Sequence, residues 1–207
     1  MKIFRLMQEP NTIVKTGIVV LMVSISLLAN AQEFSIGPKL GISQGDIRVN
    51  GEGFSSGDSR LGYHLGLFAR LGGSKIFIQP EILYTNTGGE IQNSQNQGNT
   101  TYSVSFNRID TPIMFGFKVA DFFRVQAGPA FSFLINSEVE TDNPGVPLPN
   151  YNRSTLGYQA GIGVDIANMI LDLKYEGPFS RQAESIAGFP TDQRQNQLIL
   201  SLGIRLF

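Results

Sequence analysis

The chain holds a single histidine, His64, and no cysteine. Nucleophilic acyl chemistry wants a serine beside a histidine, with an acid to orient the ring. Ser43, Ser59 and Glu81 are available to His64 on paper, but no spacing motif links them. No catalytic residue is therefore predicted, and a lipid-modifying enzyme stays as the distant alternative. The acids Asp58, Glu138, Glu140 and Asp142 lie in polar stretches without metal-ligand spacing, so no metal is expected. The 23 glycines follow an alternating pattern rather than a phosphate-cradling loop, so no cofactor is expected either. A formal net charge of −1 gives no electrostatic footprint for nucleic acid.

The residues that do share a pattern are ionic. Lys39, Arg70, Glu81, Asp110, Lys118, Arg124, Asp165, Asp172, Lys174, Glu176 and Arg205 fall, with His64, on one parity of strand-like segments. Glycine, serine and glutamine share that parity. Charges of both signs on one narrow face must pair to be tolerated away from water. They predict a salt-bridged plug rather than an open pore.

The elements that would position this plug read as eight strands. Period-two alternation marks a strand with two unlike faces. Phe34, Ile36, Pro38, Leu40 and Ile42 oppose Ser35, Gly37, Lys39, Gly41 and Ser43. Similar segments cover 61–71, 76–85, 102–119, 123–136, 156–166, 169–176 and 198–206. In the fourth, Tyr102, Val104 and Phe106 keep one phase, while Ile109, Ile113, Phe115 and Phe117 keep the other. A one-residue slip exchanges faces, so a β-bulge is expected near Asn107 or Arg108.

Tight turns are expected at Gly72–Lys75, Ala120–Phe122 and Ala167–Asn168. Long polar loops are expected at roughly 44–60, 87–101, 137–154 and 181–194. Short turns alternating with long loops are what an up-and-down membrane barrel produces, with the turns periplasmic and the loops outside. Both ends of the barrel then lie in the periplasm.

The first thirty residues differ from the rest. Lys2, Arg5 and Lys15 form a basic lead, Thr16 to Leu28 an apolar core, and Ala29-Asn30-Ala31 a small-x-small cleavage pattern. The core is short of the roughly 18 residues of a spanning helix. Residues 1–31 read as a signal peptide and 32–207 as an outer-membrane β-barrel domain, a short N-terminal anchor being the alternative. Without Lys2, Arg5, Lys15 and Glu9, 13 basic and 16 acidic residues remain.

Alternation alone suits a soluble barrel as well, with the apolar face inward. Charged residues are only 16% of the chain, below the roughly 25% of soluble domains, and mean hydropathy is near zero. The apolar parity is almost free of charge, as lipid requires. Tyr63, Tyr84, Tyr102, Phe133, Tyr158 and Phe179 fall near loop-side strand ends, where an aromatic girdle would sit. These features favour the membrane. Against them stand Pro38, Pro80, Pro112, Pro129 and Pro178, each of which removes a ladder donor; bulges or rim positions would absorb them. The chain ends Ile204-Arg205-Leu206-Phe207, with Phe207 on the opposite parity to Leu202, Ile204 and Leu206.

At the prolines a resemblance emerges. Ile78-Gln79-Pro80-Glu81-Ile82-Leu83-Tyr84, Asp110-Thr111-Pro112-Ile113-Met114-Phe115 and Ala127-Gly128-Pro129-Ala130-Phe131 resemble, in order, motifs of the PorT-like outer-membrane β-barrel family of Bacteroidetes. Gly37-Pro38-Lys39-Leu40-Gly41 and the run 157–165 are similar to it too. That family usually has Glu-Ile where this chain has Asp110-Thr111. The resemblance covers residues 32–207 and implies an eight-stranded antiparallel up-and-down transmembrane barrel of the outer membrane. It implies little about activity; one branch serves the type IX secretion or gliding apparatus. The expected partners are outer-membrane lipid and lipopolysaccharide, the barrel-insertion machinery, and extracellular or secretion partners reached through the loops. A structural or surface-interaction role is the leading expectation, and a secretion component comes second.

Overall fold

The computed structural model describes residues 33–50, 54–93, 100–141, 152–179, 183–186 and 189–206. The expected signal peptide 1–31, the domain start at Gln32 and the terminal Phe207 lie outside them. The elements are β1 (Glu33–Asn50), β2 (Phe54–Gly72), β3 (Ile76–Asn93), β4 (Thr100–Lys118), β5 (Phe123–Thr141), β6 (Ser154–Ile166), β7 (Met169–Pro178), β8 (Ala183–Ile186) and β9 (Phe189–Ile204).

β1 to β7 pair in sequence order, β7 and β8 each pair with β9, and β1 pairs antiparallel with β9 from Lys39↔Gly203 to Asn50↔Asp192. That last pairing closes the sheet. β7 takes β9 residues 197–204 and β8 takes residues 189–193, so both lie along the edge of β9 that faces away from β1. The nine strands therefore make eight staves, as the sequence predicts. The β6–β7 turn is two residues, Ala167 and Asn168, with Ala167 at φ 51°, the positive value a primed hairpin turn demands.

The faces are sorted inside out. Leu40, Ile42, Leu65, Ile82, Phe115 and Leu200 are exposed outward, while Lys39, Gln79, Glu81, Arg124 and Asp172 are buried inside. In water this would be a large apolar liability; in hydrocarbon it is the stable arrangement, because lipid solvates apolar side chains and cannot solvate ions. Tyr63, Phe133, Tyr158 and Phe179 are exposed on the outer surface and Tyr84 is half-buried. The Tyr158 ring lies 5.1 Å from Phe179 and 6.5 Å from Tyr175. The side chain of Tyr102 lies outside those described.

Three sequence expectations change. The polar stretches 44–60 and 87–101 are mostly strand, since β1 runs to Asn50, β2 begins at Phe54, β3 ends at Asn93 and β4 begins at Thr100. Most of 181–194 likewise belongs to β8 and β9. Weak strand formers pair here because their neighbours already hold register, and alternation vanishes where both faces leave the membrane.

The β4–β5 register does step between Asn107 and Arg108, but the unpaired residue is Ile135 on β5: Asn107 faces Asn136 and Arg108 faces Leu134. The β3–β4 register runs unbroken through this point. Val104 and Phe106 therefore stay on the lumen side with Arg108 and Asp110, and Phe106 is fully buried.

The prolines inside β3, β4 and β5 are accommodated by gaps, not bulges. Partner pairs stop at Phe68↔Glu81 and resume at Leu71↔Ile78 beside Pro80, stop at Pro80↔Ile113 and resume at Leu83↔Asp110 beside Pro112. They stop at Pro112↔Ala130 and resume at Phe115↔Ala127 beside Pro129. Register is kept across each gap, and each lies on the side of the preceding strand, where the missing N–H would have pointed. Pro38 precedes the first β1–β9 pair, and Pro178 ends β7 at the rim.

Closure and the lipid-facing wall are both testable. The folded chain should run faster on a cold detergent gel than after boiling. Leu200→Arg, on the wall near mid-height, should lower the unfolding free energy in lipid vesicles by about 2–4 kcal/mol, measured by urea titration.

Candidate functional site

The lumen is where the polar chemistry gathers. Strand parity sends one residue from each stave inward at a similar height, and the side chains fill the bore, as an eight-stranded barrel requires. Lys39 Nζ on β1 lies 2.6 Å from Glu81 Oε1 on β3 and 2.7 Å from Asp172 Oδ2 on β7. Lys174 Nζ reaches the other oxygen of Glu81 at 3.1 Å. Arg124 on β5 meets Asp172 at 2.8 Å and Asp165 at 3.2 Å, and Arg70 on β2 meets Asp165 at 2.7 Å. Asp172 also accepts from Gln126, and Gln79 donates to Glu81. The network crosses the bore in several directions and ties together staves that share no backbone ladder.

A second cluster lies nearer the outer end. Arg108 pairs with Asp110 at 2.9 Å and with Glu176 at 2.6 Å, while Gln159 donates to Glu176. Arg108 was missing from the predicted inward set. A phase slip placed on β4 reverses its parity, and the register shows that the slip belongs to β5. Among the described ion pairs of the lumen, Lys39, Arg70, Arg108, Arg124 and Lys174 balance Glu81, Asp110, Asp165, Asp172 and Glu176. The two predicted members outside this set, Lys118 and Arg205, lie at the turn end and are only half-buried; Arg205 donates to the Ala167 carbonyl.

Glycine makes the packing possible. A Cβ on Gly163 would fall 1.5 Å from Arg124 Nη1, and one on Gly116 would fall 1.9 Å from the Phe77 ring. The Arg70 guanidinium sits 4.6 Å from the centre of that Phe77 ring, so one bare strand position seats the aromatic on which the cation rests.

His64 is buried, and its Nε2 lies 3.0 Å from Ser201 Oγ. None of the partners read from the sequence engages it: Ser59 is exposed, Ser43 Oγ has no hydrogen-bond partner, and Glu81 is spent on Lys39, Lys174 and Gln79. A serine–histidine contact is thus present, with both side chains buried in the lumen, Ser201 being 1% exposed. Among the described residues no three His, Cys, Asp or Glu side chains stand close enough to hold a metal ion. Beside Arg108, Glu176 and Gln195 a space of about 10 Å³ remains, room for one water.

A closed antiparallel barrel with an apolar exterior and an ionic interior has one natural solvent, a lipid bilayer. Residues 30–181 match the outer membrane protein beta-barrel domain family. The chain belongs to that family. Its place is the outer membrane. Among solved structures, the barrel is similar to outer membrane protein OprG from Pseudomonas aeruginosa, at 10% identity and a TM-score of 0.54, over 85% of this chain and 96% of that one. It is also similar to Neisserial surface protein A, at 12% identity and a TM-score of 0.50, over 86% and 100% of the two chains. Ail of Yersinia pestis, crystallised with a heparin analogue, is 15% identical with a TM-score of 0.47 over 84% and 99%. At these identities the likeness to OprG and to Neisserial surface protein A is one of fold. No curated protein matches the sequence.

The network carries a stability prediction. Asp172→Asn removes the charge shared by Lys39 and Arg124, leaving uncompensated buried cations at a cost of about 3–5 kcal/mol. Glu138→Gln, on the exposed part of β5, should change stability by less than about 0.5 kcal/mol. Urea unfolding of both barrels in vesicles checks the contrast.

Proposed function

We propose that this chain is a non-enzymatic outer-membrane barrel with a plugged interior, serving a structural or surface-interaction role. The observation that carries this reading is the filled lumen: ion pairs and glutamine bridges cross the bore, with space for a single water beside Arg108. A transport path would need a continuous file of such spaces. The His64–Ser201 contact, buried in the lumen, supports the non-enzymatic part.

The strands that rise past the lipid-facing band offer the surface for partners. Arg48 and Glu138 are exposed there and Asp46 is half-buried, above the apolar wall. Lipid and lipopolysaccharide contact the wall itself, and the insertion machinery is the partner during assembly. A second reading rests on the ordered proline motifs, which resemble the PorT-like barrels of Bacteroidetes: a component of a type IX secretion or gliding apparatus. Leader removal before Gln32 belongs to the same proposal.

The plugged reading predicts negligible single-channel conductance in planar bilayers, and steady porin-like steps would sink it. A deletion strain separates the two roles. Normal secretion of cargo supports the structural or surface role, whereas retained cargo restored by the gene in trans supports the secretion component.

A further inference from the structure

The barrel wall steps down from β5 to β6. β1 to β5 and β9 are 16 to 19 residues long, whereas β6 has 13, beginning at Ser154, and β7 has 10. The β5–β6 ladder ends at Phe133↔Ser154, while β5 continues to Thr141 against β4. Over the last three rungs lies a depression of about 310 Å³, lined by Phe131, Ser132, Phe133, Ser154, Thr155 and Leu156. Its origin is a mismatch of size: the small Ser154 faces Phe133 at the last rung, and no further residue of β6 rises beside the ring.

The height of this depression matters. Phe131, Phe133 and Leu156 are exposed on the lipid-facing wall, and just above them Asn136 and Glu138 are exposed polar residues. The floor is apolar and its upper end is polar, so it spans the level where acyl chains meet headgroups. At the mouth, the Leu134 N–H donates to the Arg153 carbonyl at 2.8 Å, which fixes the Arg153 backbone there. Arg153 is exposed, and none of the described salt bridges engages it. On the β7 side the Phe179 N–H donates to the Leu156 carbonyl at 2.9 Å, and the Phe179 ring packs on Tyr158.

We infer that this depression is a binding site for one membrane lipid with an anionic headgroup. The acyl chain lies on Phe131, Phe133 and Leu156, and the phosphate meets Arg153 and the Ser154 hydroxyl. This rests on the outer-membrane placement of the barrel. An ordinary boundary lipid samples the whole wall alike, whereas a recess with an apolar floor and a cation at its mouth retains one lipid longer.

The chain has no tryptophan, so a single introduced one reports its own surroundings. Phe133→Trp places the reporter in the depression. Ile162→Trp places it on the neighbouring strand β6, on the lipid-facing wall but outside the depression. Each variant, checked for folding by its heat-modifiable gel shift, is reconstituted in phosphatidylcholine vesicles with rising fractions of dibrominated phosphatidylglycerol. Half-maximal quenching of the Phe133→Trp reporter is expected at a mole fraction about threefold lower than for Ile162→Trp, a preference of the size an exposed ion pair supports. Adding Arg153→Gln should erase the difference, and dibrominated phosphatidylcholine should quench both reporters alike. Coincident curves with phosphatidylglycerol, or equal preference for the two headgroups at Phe133→Trp, would mean boundary lipid only and overturn the site. Quenching of neither reporter would instead overturn the membrane placement, and the site with it.

Discussion

Hydrocarbon offers no hydrogen-bond partner to a peptide group, and the rest of this structure depends on that constraint. A chain crossing the membrane as strands must pair every exposed edge, so the sheet has to close. The β1–β9 ladder does this, from Lys39↔Gly203 outward. Once closed on eight staves, the sheet has a bore just wide enough to be filled by side chains. The outer wall is then committed to Leu, Ile, Val and Phe, and the polar residues of the alternating pattern are committed to the lumen.

That commitment creates the electrostatic problem the interior solves. Ions drawn out of water must be compensated within a few ångströms. Asp172 illustrates the solution, since it faces Lys39, Arg124 and Gln126 together. The geometry depends on residues that carry no charge. Gly163 clears the volume that Arg124 occupies, and Gly116 clears the volume for Phe77. The interior is therefore a mechanical cross-brace as much as a charge balance, and it leaves little room for passage. The family relationship places such a barrel in the outer membrane and leaves its biological task to its surfaces.

The three gaps beside Pro80, Pro112 and Pro129 show how far the closure constraint bends. Each missing donor leaves a short interruption between neighbouring strands, yet the register on either side is preserved. Side-chain bridges span the same region: Gln79 and Glu81 flank Pro80 and both join the ionic network, and Asp110 stands two residues before Pro112.

The sequence by itself determined the staves, their order, the turn ends, the closed all-β class, and most of the ionic interior. These follow from period-two alternation, which is local and survives any detail of packing. His64 inside and Leu200 outside are read from parity alone. The partners were not legible: Lys39 with Asp172, Arg108 with Glu176 and His64 with Ser201 lie far apart in the chain, and only the stagger between staves brings them level. The upper strands read as loops in the sequence because outside the membrane both faces are polar and alternation carries no signal. Val104 and Phe106 looked like a shifted phase of β4, whereas the lumen accepts apolar side chains and the extra residue sits on β5. Which residue a bulge belongs to is decided by pairing with a second strand, and pairing exists only in the folded barrel.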